Sequence, residues 1–510
     1  DDLLAAQLID RVRFTRQPEY VFHHPSIRTV AYESQPESDR AELHRRVAAA
    51  IESGNPATSD ENATLIAEHL EAAGDRRAAY GWQMRAATWA TNRDINAAWR
   101  SWERARTIAD TLSADDPDRT SMRIAPRTML CGIAWRVHER ATGARFEELR
   151  ELCAAAGDKA SLAIAMAGQV MDHMHQARLH EASHLASEAM ALIESLDDPT
   201  LTVGLSLASI YARAECAEWP DALRWSQMVI DLADGDPSKG NFIIGSPLAL
   251  ALTTRATASY CLGLPGWRDD LRNGLAMARS TDPMSYATVV TYSYSAAIPP
   301  GMLRPDDRAM GEIEDALRIA EQSGDDVALA ISRMTLGIAL VHRQMDEERD
   351  RGQQILAEVS EVLLRRRFFL TDLPIVEVCL AREKAQRGDR DGAIPRLRAA
   401  ADGQFRDGRL LGWSIPATGV LVETLLDRGA EGDLAEAETA IERLAEATIE
   451  RSADGDGGFA VREIWLLRLR ALVARAHGDS ASYAHLRDRY REMAKTLGFE
   501  GHIEWAEAMP

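Results

Sequence analysis

From Ala41 onward the chain repeats one pattern: segments with apolar residues at i, i+3, i+4 and i+7, parted by brief Gly-Asp or Asp-Pro turns. Gly-Asp recurs at 74–75, 157–158, 324–325, 388–389 and 478–479. A glycine at such a point ends one helix in the left-handed conformation, and the aspartate caps the next. The alternation predicts paired helices and no strand over this length. Ala160–Gln176 pairs with Glu181–Leu196, Pro247–Leu262 with Asp269–Ala278, and Ala328–Val341 with Arg351–Leu364; Ala393–Ala401 and Ala435–Ala447 open further pairs. In Leu336-Gly337-Ile338-Ala339 the small residues predict close packing of the partner helix. One pair alone buries only part of its apolar surface, so neighbours must stack into a superhelix with a concave groove. The spacing drifts from the ~34 residues of an ideal tetratricopeptide (TPR) unit, which makes the units degenerate. Breaks are expected at Ser113–Ser121, Asp234–Pro247, Ile298–Asp307 and Ser452–Gly458.

Stacking also answers the length. At 510 residues the chain exceeds the ~250–300 at which one core stops growing. With 46% hydrophobic and 27% charged residues it is globular rather than disordered, and only 6% aromatic content favours helix over sheet. The formal net charge of -20 repels phosphate backbones, so no direct nucleic-acid contact is expected. The five cysteines are scattered without a C-x-x-C pair, which argues against a disulfide framework or cysteine zinc site and for a reducing, cytoplasmic setting. No stretch approaches the ~20 apolar residues of a membrane span. The start lacks a signal peptide and an initiator Met, and is expected to be part of something longer.

The first residues follow a different pattern. Asp1–Asp10 reads as a short helix. Val12–Arg16 and Tyr20–His24 alternate around Gln17-Pro18-Glu19 like a β-hairpin, and a helix begins near Pro25 with Ile27, Val30 and Ala31 on one face. Helix, hairpin and helix resemble the end of a winged-helix module; the alternative is a hairpin capping the helical array.

Tyr20-Val-Phe-His-His-Pro-Ser-Ile-Arg-Thr-Val-Ala-Tyr-Glu-Ser and Asp39-Arg-Ala-Glu-Leu-His-Arg-Arg-Val-Ala resemble the junction after the ATPase core of large actinobacterial signalling proteins of the STAND class. Asp60–Asp75 resembles the first helix pair after that junction, and Tyr490–His502 the tail of members linked to class III adenylate cyclases; other members end in a LuxR-type helix-turn-helix. The resemblance implies an upstream ATPase and effector, ATP or ADP bound there, and a TPR-like tail with a sensor role. It also implies, through F-x-H-P, that His24 touches the β-phosphate of ADP, with Arg28 one turn along the same face. A phosphate at a helix N-terminus beside a His and an Arg is physically sensible; the alternative is a His that caps the helix. The chain itself carries no G-x-x-x-x-G-K-[ST] loop, no paired cyclase carboxylates and no basic recognition helix.

His180-Glu181-Ala182-Ser183-His184 is a literal H-E-x-x-H, which on one helix face could bind zinc with Glu as general base. No third ligand follows at a familiar spacing, and the motif also opens the second helix of a pair; His173 and His175 lie near it in sequence. Asp454-Gly455-Asp456-Gly457-Gly458 fails the calcium-loop spacing, and no G-x-S-x-G elbow occurs. Trp82, Trp89, Trp99, Trp102, Trp219 and Trp225 are read chiefly as core, with a groove-lining role as the alternative.

The expected fold is all-α: a TPR-like helical-hairpin solenoid with a small winged-helix remnant carrying one β-hairpin. The remnant covers 1–54, the first helix pairs 55–112 and the solenoid 113–510. The expected function is non-catalytic, a sensor and protein-interaction region whose concave groove takes a protein, peptide or small ligand and holds an upstream ATPase closed. The alternatives are a free-standing scaffold and a zinc hydrolase built on His180 and His184.

Overall fold

A computed structural model describes residues 2–13, 19–54, 59–137, 143–242, 245–406, 409–447 and 459–510. The chain is an all-α, TPR-like helical repeat protein. It divides into two compact units, Asp1–Thr91 with Ala97–Pro126, and Asn92–Asn96 with Arg127–Pro510.

The first unit opens with α1 (Asp2–Ala5) and an antiparallel hairpin, β1 (Ile9–Arg13) with β2 (Glu19–Phe22), in which Ile9 faces Phe22 and Asp10 faces Val21. The ladder therefore starts earlier than the sequence pattern suggests. Ile9 and Asp10, expected to be helical, pair as strand instead, because the cross-strand partners Phe22 and Val21 are available to them. Residues 14–16 of the first expected strand and 17–18 of the expected turn lie outside the described residues. Then come α2 (Pro25–Glu33), α3 (Glu37–Gly54), α4 (Ala63–Ala72), α5 (Arg76–Ala90), α6 (Ile95–Asp110) and α7 (Arg119–Ile133), the last running on into the second unit. A polar relay ties three of them: Tyr32 Oη lies 3.0 Å from His44 Nε2, and His44 Nδ1 lies 2.8 Å from His69 Nδ1. Tyr20, Val21, Phe22, Val30 and Val47 are exposed apolar side chains of this unit.

The second unit is a run of antiparallel pairs. It comprises α8 (Gly143–Ala156), α9 (Lys159–His175), α10 (Leu179–Glu194), α11 (Pro199–Glu215), α12 (Trp219–Ala233), α13 (Pro247–Leu262), α14 (Trp267–Ala278) and α15 (Pro283–Tyr294). These lead to α16 (Asp307–Ser323), α17 (Asp326–Val341), α18 (Asp346–Arg366), α19 (Leu373–Gln386) and α20 (Arg390–Gly403). Last come α21 (Ser414–Arg428), α22 (Asp433–Glu446), α23 (Ala460–Ala476), α24 (Ser480–Leu497) and α25 (Glu500–Ala508).

The Gly-Asp turns do what their chemistry dictates. Gly74, Gly157, Gly324, Gly388 and Gly478 all have φ between 69° and 99°. Asp75, Asp158, Asp325, Asp389 and Asp479 each accept a hydrogen bond from a backbone N–H two or three residues on, capping the following helix. Gly337 sits where expected: a Cβ there would come within 2.7 Å of Leu356 on α18. The breaks expected at 234–247 and 298–307 fall between helices; the one at 452–458, with the Asp454–Gly458 motif, lies outside the described residues. All five cysteines are free.

One expectation needs correction. A second short ladder, β3 (Phe405–Arg406) with β4 (Arg409–Leu410), follows α20. It is only two residues per strand, too short for periodicity to register, but it delivers Gly412 and Trp413 to the inner face.

Residues nearly two hundred positions apart meet within this unit. The Leu370 N–H donates to His175 O at 2.8 Å, Thr371 Oγ1 donates to Met174 O, and the Gly412 N–H donates to Glu215 O at 2.9 Å. Farther along, the Trp465 Nε1–H donates to Pro300 O at 2.9 Å, and the Glu500 N–H to Met302 O at 3.0 Å. These bonds hold the segments before α19 and α21 against the ends of α9 and α11, and a cavity lies between them and the helices.

Candidate functional site

The helices that line this cavity expose one stripe each. On α11 the lining residues include Gly204, Ala208, Tyr211 and Glu215; on α13, Leu250, Thr254, Thr257 and Cys261; on α15 and its C-cap, Met284, Thr288, Thr291 and Ser295. All three follow the i, i+4, i+7, i+11 spacing of a single helix face. The same face of successive first helices therefore forms one wall. The opposite wall comes from segments entering later helices: Phe369 and Asp372 before α19, Gly412 and Trp413 before α21, and Phe459 before α23. The cavity volume is about 120 Å³. Since one buried water needs roughly 10–15 Å³ of such space, the cavity has room for a small molecule.

Its lining is apolar and aromatic, with two acids set into it. Tyr211 and Tyr292 meet edge to face, ring centroids 5.1 Å apart. Glu215 and Asp372 are each only 7% exposed. Burial drives the Glu215 carboxyl well above its ordinary range, and the neighbouring Asp372 carboxylate pushes it further. Burial likewise raises Asp372 to about 7. Helix ends separate the two. Glu215 is the last residue of α11, where the negative end of the helix dipole opposes its ionisation; Asp372 stands at the N-cap of α19, where the positive end favours it. The Asp372 side chain makes no capping bond there.

Among the described residues six acids are buried: Asp172, Glu215, Glu218, Asp372, Glu383 and Asp433. Four are matched by arginine. Arg178 lies 3.0 Å from Asp172, Arg213 pairs with Glu218, Arg349 and Arg387 lie 3.4 and 3.8 Å from Glu383, and Arg428 lies 2.6 Å from Asp433. Glu215 and Asp372 have neither an ion-pair partner nor a side-chain hydrogen bond. Two further cavity-lining groups, the Nε1 atoms of Trp219 and Trp413, are buried donors without a protein acceptor. A second cleft, which includes the exposed Arg396, shares Glu215, Gly412 and Trp413 with the cavity, so the acid marks where the two spaces adjoin.

The residues singled out from sequence lie elsewhere. His24 is the N-cap of α2: its Nδ1 accepts from the Ser26 N–H at 3.2 Å and lies 2.7 Å from Ser26 Oγ, leaving Nε2 for any other contact. Arg28, one turn on, is exposed. His180 and His184 are both exposed on α10, and His184 Nδ1 lies 3.6 Å from Glu188. Among the described residues no group of three His, Cys, Asp or Glu side chains converges as a metal site would require. His175 instead packs among the rings of Trp135, Phe368 and Phe369, on the cavity wall. Of the tryptophans, Trp102 and Trp225 are core, whereas Trp219 lines the cavity.

No protein-family model matches the chain, and no curated protein matches it. Several solved structures are similar to it in fold. They include a Rap protein complexed with competence and sporulation factor (10% identity, 82% of this chain and 98% of that one, TM-score 0.38). The human IFIT1 dimer with m7Gppp-AAAA (12% identity, 90% and 96%, TM-score 0.32) and yeast Tom70 (12% identity, 92% and 94%, TM-score 0.31) are others. At TM-scores this low the likeness is confined to a succession of helices, and it says nothing of what the cavity holds.

Proposed function

We propose that this chain is a non-catalytic binding module whose second unit receives a ligand in the cavity between α11, α13, α15 and the segments leading into α19 and α21. The observation that carries this is the set of buried polar groups left unmatched on an otherwise apolar, aromatic wall. Each buried, unpaired polar group costs about 1–3 kcal/mol, and a ligand that pairs with them recovers that cost. Pockets of mostly apolar lining with a few convergent polar groups are the usual form of a ligand site. The test is thermal denaturation of the chain with small molecules of mixed charge. Compounds that raise the Tm should lose their effect in Ala208→Phe, which fills the cavity. A compound set with no effect, or an effect that survives Ala208→Phe, contradicts the reading.

The STAND resemblance gives this module a place in a larger mechanism, and the exposed apolar residues Tyr20, Phe22 and Val30 of the first unit favour it, since an ATPase core docked there would cover them. The ligand would then act by binding the open and closed states unequally, the only way a ligand shifts such an equilibrium. The segments before α19 and α21, held to α9 and α11 by a few hydrogen bonds, are the parts of the wall that can part. His24 would meet the nucleotide phosphate through Nε2. Saturable ADP binding lost on His24→Ala supports this role; binding unchanged by that substitution removes it.

A further inference from the structure

We infer that the cavity takes a small organic cation, an ammonium or guanidinium carried on an apolar body, held between Glu215 and Asp372. This rests on the reading of the cavity as the ligand site and names the chemistry of its ligand. The other four buried acids among the described residues each have an arginine within ion-pair distance; these two, both on the cavity wall, have none. Water in the cavity can hydrogen-bond to two carboxyls but cannot cancel two charges, and an isolated ionised carboxylate in apolar surroundings is costly. In the empty cavity Glu215 keeps its proton, and Asp372 keeps its own until pH passes about 7 and ionises at a cost above it; a cation offsets that cost with the charge that Arg178 or Arg428 supplies elsewhere.

The rest of the lining suits the same ligand. Tyr211, Tyr292, Trp219 and Trp413 line the same cavity as the acids, and desolvated cation–π contacts with such rings add to a carboxylate–ammonium pair. The cavity volume, about 120 Å³, excludes a folded partner and fits a compound the size of an arylalkylamine. Glu215, shared with the outer cleft, stands where such a molecule would enter.

The experiment is calorimetric titration of the intact chain at pH 8 with 2-phenylethylammonium, its neutral isostere 2-phenylethanol, and phenylacetate. The expected order is cation, then alcohol, then anion, with the cation favoured over the alcohol by about tenfold or more. In Glu215→Gln/Asp372→Asn that preference should vanish while the alcohol still binds; if the double variant does not fold, as judged by circular dichroism, Glu215→Gln alone should reduce the preference. Equal binding of cation and alcohol, or preference for the anion, overturns the cation assignment while the cavity remains a ligand site. Binding by none of the three overturns both readings. Tighter binding of acetyl-Phe-Lys-amide than of 2-phenylethylammonium would overturn the small-molecule assignment in favour of a peptide side chain.

Discussion

Replacing Asp372 with Asn should change how stability depends on pH, and the size of the change follows from the site. Asp372 is 7% exposed, with no cation beside it, and its carboxyl is raised from 3.8 to about 7. Between those values the folded protein keeps a proton that the unfolded chain has released. Stability contributed by the protonated group is therefore fully present below pH 3.8 and lost as pH rises through about 7. At 1.36 kcal/mol per unit, the interval from pH 5 to 8 costs the wild type roughly 3 kcal/mol through this group. Asn has nearly the same shape and does not titrate. The Asp372 side chain makes no capping bond to lose, so the substitution isolates the charge. The groups facing it, Glu215, Tyr211 and Tyr292, are themselves pushed upward by burial and carry little charge near neutrality. Urea denaturation followed by circular dichroism at pH 5, 6, 7 and 8 measures the effect. The stability of Asp372→Asn relative to wild type should climb by roughly 3 kcal/mol across that series. Parallel curves for the two proteins would show that Asp372 titrates normally, and the reasoning about the cavity would fail with it.

Three other perturbations give separate checks. His502 is fully buried, with Nε2 donating to Pro300 O and Nδ1 accepting from Tyr490 Oη at 2.9 Å each, and burial lowers it from 6.5 to about 3. The folded state thus resists a proton that the unfolded chain accepts; stability is present above pH 6.5 and should fall by up to about 5 kcal/mol as pH drops to 3, a slope that His502→Gln should flatten in urea denaturation carried from pH 7 down to pH 3. Gly419→Ala would drive a methyl into the Trp465 ring, an overpacking expected to cost about 1–3 kcal/mol and to appear as a lowered Tm. Asp389→Ala removes the cap of α20, where the carboxylate accepts from the Gly392 N–H at 2.8 Å, and should cost about 1 kcal/mol; no change in urea midpoint would contradict the capping role.

The repeat architecture was legible because it is written in local chemistry. The Gly-Asp turns fix helix ends through a left-handed glycine and an aspartate cap, neither of which needs tertiary information. Pro247–Leu262 falls on the same residues in sequence pattern and structure, Pro and Gly263 marking its ends. Less was legible where tertiary pairing decides, as at Ile9, drawn into a strand by Phe22, and at the two-residue ladder after α20. The cavity was hidden for the same reason. Glu215 reads as an ordinary helix-terminal acid and Asp372 as a cap, and nothing local says that both lose their water and find no arginine. The one available signal was the Gly204-Ala208-Tyr211-Glu215 stripe, an acid on the inward face of an apolar helix. The H-E-x-x-H match, by contrast, is sequence without convergence: His180 and His184 both face solvent.

A crystal structure of the chain grown at pH 8 with 2-phenylethylammonium tests the central claim most directly. The account requires the ring among Tyr211, Tyr292 and Trp413 and the ammonium within hydrogen-bonding distance of the Glu215 or Asp372 carboxylate. The amine found only on the outer surface, with water alone between those two acids, would contradict it.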